Sequence, residues 1–266
     1  MYISAFHIDI KKNQDYADFL LEDNYKSLIL CDGIGEFEDS RCIAEFVVER
    51  ILEKQYLTIN EFLLNEHEEL QKYKNEGVQA GTTVIQAYFN QKSDRVKIGY
   101  LGDGGVIHLS GDFGNLPHSE HPYRYNEIML PHNSSDGALT KHISHHSTKN
   151  ELTPGEIHLK LNHTFGDILL FFTDGISSLE ERIILKDDAG RFWRNEPATI
   201  QVILNELNVF LKKASYSESQ FQTDLVSFNK HILQELKVAD LLEDDASLGI
   251  IVTPGVLDYH KNLKHD

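Results

Sequence analysis

The sequence predicts an α+β domain built mainly of antiparallel sheets. Strand-like and helix-like stretches come in blocks, not in the strict alternation that a parallel doubly wound sheet requires. No proline-, glycine- or serine-rich linker and no internal repeat divides the 266 residues. That length suits one large domain or two small ones, with a core that needs neither disulfides nor structural zinc. We read one domain over residues 1–254 and a tail over 255–266.

The elements follow in order. Tyr2 to Ile10 alternates with period two and reads as a strand; Ser27 to Cys31 is a short buried run that stops at Asp32-Gly33. Ser40 to Lys54 carries Ile43, Phe46, Val47, Ile51 and Leu52 at helical spacing, with Asp39 or Ser40 placed to cap it. A second helix is expected from about Asn60 to Tyr73. Thr82–Phe89, Val96–Leu101 and Val106–Leu109 read as strands, the last two separated by Gly102-Asp103-Gly104-Gly105. Residues 112–165 hold many of the histidines and little periodicity, with short strands expected near Ile128 and Ile157. Irregular segments of this length are usually flaps or binding loops. Ile168 to Thr173 is a buried strand ending at Asp174-Gly175. In a helical segment over 183–240, Thr199–Lys213 is amphipathic and a further helix is expected around Asp224–Leu236. Ala246 to Val252 is a closing strand.

Charge narrows the function. Acidic residues number 42 against 25 basic ones, a formal charge of −17. Such an excess repels nucleic-acid phosphates and disfavours an anionic membrane surface. Most of it reads as a solvated acidic face. Cys31 and Cys42 form no zinc or redox spacing; each reads as an isolated thiol, one on a strand and one on a helix. The start carries no basic, apolar leader, and the longest apolar run, Ile168 to Phe172, is far short of the roughly 20 residues a membrane span needs. These features lead us to expect a cytoplasmic protein.

The informative pattern is a carboxylate placed straight after a strand. Leu28-Ile29-Leu30-Cys31 leads to Asp32-Gly33, Tyr100-Leu101-Gly102 to Asp103-Gly104, and Leu169-Leu170-Phe171-Phe172-Thr173 to Asp174-Gly175. Asp244-Asp245 precedes the closing strand, and Asp15 sits in the first turn. One Asp-Gly is only a turn signal. Several at strand ends place rigid oxygen donors, which suits Mg²⁺ or Mn²⁺; no His or Cys stands at these positions, which argues against zinc.

The order of these stretches resembles the metal-dependent protein phosphatases of the type 2C family, particularly their compact bacterial branch. The matching residues are Asn13-Gln14-Asp15, Leu30-Cys31-Asp32-Gly33-Ile34-Gly35, Ala80-Gly81-Thr82-Thr83-Val84, Leu101-Gly102-Asp103-Gly104, Gly166 to Gly175, and Asp244-Asp245-Ala246-Ser247-Leu248. The resemblance implies a four-layer α-β-β-α sandwich, two central antiparallel sheets flanked by helices. It implies a binuclear Mn²⁺ or Mg²⁺ centre at one end, with Asp32 bridging both ions and Gly33 offering its carbonyl to the second. Asp174 and Asp244 would bind the first ion, Asp15 would lie in or just behind the ligand shell, and Asp103 with Asp174 would hold a weaker third ion. Asp32, Asp174 and Asp244 would be the catalytic set. The implied activity is hydrolysis of phosphoserine and phosphothreonine by a metal-activated water, on a phosphoprotein substrate made by an opposing Ser/Thr kinase.

Three positions depart from the family pattern. Gln14 stands where a Glu is frequent, and as a candidate second-metal ligand its neutral amide would offer an oxygen with less charge. Lys11 and Lys12 are nearest to the place of a phosphate-gripping Arg, and lack its bidentate fork. Ile34 replaces a His. These departures motivate an alternative, a pseudophosphatase that keeps the fold as a binding or scaffold domain. A phosphatase for sugar or nucleotide phosphates is a third reading, with no Walker loop to support it. His118, His121, His132, His142, His145 and His146 lack the helix-face spacing of a zinc site and read as part of the flap, where Leu139-Thr140-Lys141 resembles a family Leu-Thr-Arg element. The Lys186–Arg194 loop and its two neighbouring helices read mainly as packing on an outer sheet face, with a docking surface as the alternative.

Overall fold

The computed structural model describes residues 1–89, 94–111, 123–135, 138–144, 152–162, 165–177, 184–186, 192–194, 198–213 and 217–263. In chain order these form β1 (Tyr2–Ile8), β2 (Tyr16–Leu21), β3 (Lys26–Cys31), α1 (Ser40–Lys54), α2 (Ile59–Asn65), α3 (His67–Asn75), β4 (Gly81–Thr82), β5 (Val84–Phe89), β6 (Arg95–Leu101), β7 (Gly105–Gly111) and β8 (Tyr123–Glu127). Then come β9 (Ile143–Ser144), β10 (Gly155–Lys160), β11 (Asp167–Phe172), α4 (Asp174–Ser177), β12 (Ile184–Lys186), β13 (Phe192–Arg194), α5 (Ala198–Lys213), α6 (Glu218–Val238), β14 (Ala246–Val252) and α7 (Pro254–Leu263).

Two five-stranded antiparallel sheets dominate, in the orders β1-β14-β11-β7-β8 and β10-β6-β5-β3-β2. Alternation along the buried strands explains why there are four layers. In β11, Leu169 and Phe171 enter the core between the sheets, while Ile168, Leu170 and Phe172 face a second core under α5, α6 and α7. In β3, Leu28 and Leu30 point between the sheets, and Ile29 and Cys31 point to a third core under α1 and α2. Side chains alternate sides along a strand, so an apolar run of this kind needs a partner layer on each face. The α-β-β-α architecture follows.

Several elements differ from the sequence expectation. Tyr16–Leu21 forms β2, an edge strand whose partly exposed residues carry a weak hydrophobic pattern. The expected helix from Asn60 to Tyr73 is two helices that part at Glu66. Glu66 is buried; its carboxylate accepts from the Tyr56 hydroxyl at 2.7 Å and sits 3.3 Å from the Arg50 guanidinium. Asp39 precedes α1 without a side-chain cap bond. The tail expected over 255–266 is, through Leu263, the helix α7: its Val256 and Leu257 are buried in the core. Cys31 and Cys42 are free thiols. Among the described residues, no helix is long and apolar enough to cross a membrane.

The strand registers converge on one end of the sandwich. Tyr16 pairs with Cys31, Phe172 pairs with both Leu248 and Gly105, and Val84 pairs with Leu101. The residues just outside these pairs are therefore neighbours in space.

Candidate metal centre

Asp15 and Asp32 stand directly outside these pairs, and Asp103 and Asp174 one residue further on. Carboxylate oxygens of Asp32, Asp103 and Asp174 lie within 4.8 Å of one another. They line a pocket of about 200 Å³ together with Gln14, Gly33, Thr83, Leu139, Asp244 and Asp245. Asp244 lines the pocket without joining the close triad, and its Oδ1 accepts the Asp245 N–H at 2.9 Å. Asp15 is fully buried, where its Oδ2 accepts from the Thr173 and Ser247 hydroxyls at 2.9 and 2.8 Å.

Local sequence explains each placement. After β3 the chain turns at Asp32-Gly33, where the Thr83 N–H and the Thr82 hydroxyl both donate to the Asp32 carbonyl, at 2.8 and 3.0 Å. A Cβ on Gly33 would lie 2.8 Å from the Cβ atoms of Gln14 and Ser40, so only glycine lets these segments meet. Asp103 is carried between Gly102 and Gly104, whose φ angles are +115° and +85°. Gly175 lets the turn after Asp174 pass against the Asp245 carbonyl.

The electrostatics are those of crowded carboxylates removed from water. Burial lifts Asp15 to about 7, partly offset by hydrogen bonds from Ser247, Thr173 and Asp32. Burial, then the charges of Asp15 and Asp174, holds Asp32 well above the usual carboxylate range. Burial, then Asp174, lifts Asp103 to about 6. All donors are hard oxygens, and the buried Asp15 Oδ1 has no hydrogen-bond partner in the protein. This donor set fits divalent Mn²⁺ or Mg²⁺.

Gln14 is buried and its Nε2 donates to the Phe37 carbonyl at 2.8 Å. A carbonyl only accepts, so the amide nitrogen faces Phe37 and Oε1 is turned away from it. Lys12 reaches the pocket rim, its ammonium donating to the Gly35 carbonyl; Lys11 is exposed, and neither lines the pocket. Ile34 also lines the pocket. From the flap region, Leu139 lines the pocket and His132 brackets the Gly102 turn. The His132 Nδ1 accepts the Gly102 N–H at 3.2 Å, and the His132 backbone N–H donates to the Gly102 carbonyl at 2.9 Å. The Lys141 ammonium is committed to the Thr153 carbonyl at 3.2 Å. His118, His121, His145 and His146 lie outside the described residues.

Two residues that shape the site escaped sequence reasoning. The Asp245 carboxylate accepts the backbone N–H groups of Ile10, Lys11, Lys12 and Gln14 at 2.6, 2.9, 3.3 and 2.8 Å. Arg41 on α1 donates to the Asp15 carbonyl and, at 2.9 Å, to Asn13 Oδ1, while lying 4.7 Å over the Tyr16 ring. Together they grip the loop that carries Gln14 and Asp15 from two sides. The doubled acid Asp244-Asp245 is visible in the sequence; its division of labour is not.

No protein-family model matches the sequence, and no curated protein matches it. Solved structures do. A sex-determining protein of C. elegans is 15% identical with a TM-score of 0.66 over 97% of this chain; this chain spans only 66% of that one. The catalytic domain of the serine/threonine protein phosphatase PstP, in complex with two manganese ions, is 13% identical with a TM-score of 0.57, covering 94% of this chain and 97% of that one. The serine/threonine phosphatase Stp1 from Staphylococcus aureus is 17% identical with a TM-score of 0.56, covering 94% of each chain. The chain has the fold of these proteins, which is the fold implied by the order of its motifs.

Proposed function

We propose that this chain is a metal-dependent phosphatase that hydrolyses phosphoserine and phosphothreonine in proteins. The observation that carries the reading is the gathering of Asp32, Asp103 and Asp174 within 4.8 Å, on the fold that PstP shares with its two manganese ions. In this reading Asp32, Gly33, Gln14, Asp174 and Asp244 would hold two divalent cations, and Asp103 with Asp174 would hold a weaker third. Bound Mn²⁺ or Mg²⁺ would supply a water acidic enough to attack at neutral pH and would offset charge on the phosphoryl oxygens.

The chain's own residues do the rest. Asp15 lies beside Asp32, anchored by the Thr173 and Ser247 hydroxyls, and its negative charge raises the proton affinity of Asp32 until a cation is bound. Lys12, at the rim, attracts and orients the phosphate as a point charge. Leu139 covers one side of the pocket, which limits water around the reacting group. The substrate is a phosphoprotein, the opposing activity a Ser/Thr kinase, and the working place the cytoplasm. Gln14 favours the alternative, a pseudophosphatase, because a neutral amide gives the second cation less charge than a Glu would.

Hydrolysis of p-nitrophenyl phosphate and of a phosphothreonine peptide, with saturating Mn²⁺ and with Asp32→Asn as the control, decides between them. Turnover of both substrates by the wild type alone supports the phosphatase. Metal binding by calorimetry with equal inertness of wild type and variant leaves the pseudophosphatase. Turnover of the aryl phosphate alone removes the protein substrate.

A further inference from the structure

The helical layer over the β1-β14-β11-β7-β8 sheet carries a feature that shares no residue with the acidic pocket. A groove of about 580 Å³ runs between α5 and α6, with Val202, Val209, Phe210, Phe228 and Leu241 along it and Ile232 and Leu236 at its base. Phe210 and Phe228 stack with ring centroids 4.7 Å apart and remain only partly buried. Val209 is 38% exposed. A lone exposed valine needs no explanation. A continuous apolar channel flanked by aromatic rings does, because such channels with polar rims mark interaction sites.

The rim states the chemistry of the partner. Glu206, Asp224 and Glu235 border the groove, against one lysine, Lys213, and one histidine, His231. Asp224 accepts from the Gln220 side chain at 2.7 Å; among the described residues neither Glu206 nor Glu235 has an ion pair. The rim charge adds to a chain already at −17, so nucleic acid and anionic lipid are repelled here as well. The two walls are helices of 16 and 21 residues. A channel between them can take an extended row of side chains, the arrangement met by an amphipathic helix with anchors at every third or fourth position.

We propose that the α5–α6 groove docks a basic amphipathic helix of a partner protein. Its apolar stripe lies on Val202, Val209, Phe210 and Phe228, and its lysines or arginines face Glu206, Asp224 and Glu235. The groove lies apart from the acidic pocket, so the partner and a substrate can bind together.

The test uses the whole chain and a fluorescein-labelled peptide of about 18 leucine and lysine residues patterned as an amphipathic helix. A peptide of identical composition in scrambled order is the control, and anisotropy is read at near-physiological salt. The patterned peptide should bind saturably, on the order of tenfold tighter than the scrambled one. Glu206→Lys with Glu235→Lys should weaken it about tenfold, whereas Glu68→Lys with Glu76→Lys, at α3, should change it less than about twofold. Circular dichroism confirms that both double variants fold. Equal binding of the scrambled peptide, or equal loss in the α3 variant, means that net charge alone attracts the peptide and overturns the proposal. A wild-type dimer in sedimentation that the Glu206/Glu235 variant dissociates gives the groove to a second copy, and overturns it too.

Discussion

The carboxylate of Asp245 receives the backbone N–H of Gln14 at 2.8 Å, across 231 positions of sequence. Three more N–H groups of the same loop, from Ile10, Lys11 and Lys12, converge on it. These bonds hold the Asp245 carboxyl below its ordinary range despite burial. Asp245 is thus spent on shaping the loop that carries Lys12, Gln14 and Asp15. Asp245→Ala leaves four donors without that acceptor, at a cost of about 2–4 kcal/mol, and frees the loop. We expect a lower melting midpoint in thermal unfolding and weaker Mn²⁺ binding in calorimetry. An unchanged melting midpoint would show that the bonds contribute little.

The acidic pocket gives the metal-free protein a definite pH dependence. Asp15 and Asp103 are lifted to about 7 and about 6, and Asp32 well above its ordinary value. Carboxyls with a raised folded pKa hold protons more tightly in the folded state. Their contribution to stability is full below about pH 4 and is lost as pH rises through 6 to 7. Bound cations compete with those protons and remove the repulsion. The rise in melting temperature caused by Mn²⁺ should therefore grow between pH 5 and about 8. A metal-induced rise that is flat across this window contradicts the assignment.

Replacing Gln14 by Glu should separate stability from metal affinity. The Nε2 bond to the Phe37 carbonyl is lost, which costs the metal-free fold about 1 kcal/mol. If Gln14 is a cation ligand as proposed, the added charge should tighten Mn²⁺ binding about tenfold. Opposite signs in denaturant unfolding and in calorimetric titration are the expected pair of results. Parallel losses would place the Gln14 oxygen away from the cations.

Gly33→Ala tests the close approach at the turn. The new methyl would meet Gln14 and Ser40 carbons at 2.8 Å and the Gln14 carbonyl oxygen at 2.9 Å. The Asp32 turn must shift to relieve this, and overpacking of this kind costs about 1–3 kcal/mol. On the proposed function, hydrolysis of p-nitrophenyl phosphate should fall by on the order of a hundredfold, since misplacement by about 1 Å is enough for that. Near-normal turnover would mean that the turn adapts without moving Asp32.

The residues that were legible in the sequence share a local signature. Asp32, Asp103 and Asp174 each follow an apolar run and adjoin a glycine, so a short window suffices to find them. Helix α1 and strand β14 were read with their observed bounds because their patterns are long and strong. The edge strand β2, the break at Glu66 and the helix α7 were missed for the converse reason. Partners outside the local window decide them: β3 across a short hairpin for β2, Tyr56 and Arg50 for Glu66, and the core around Val256 for α7.

The sequence by itself determined that strands would end in carboxylates, because alternation and turn chemistry act between near neighbours. The block order of its elements also pointed to mainly antiparallel sheets, while the four layers came only from the family resemblance and are seen in the two-sided burial of runs such as Ile168 to Phe172. Only the tertiary structure decided what each carboxylate does. Asp15 is buried against Thr173 and Ser247, Asp244 lines the pocket outside the close triad, and Asp245 turns to a loop more than 200 residues away. Hydrogen bonds and charge repulsion act through space at a few ångströms, and sheet pairing, not chain order, sets which groups come that close.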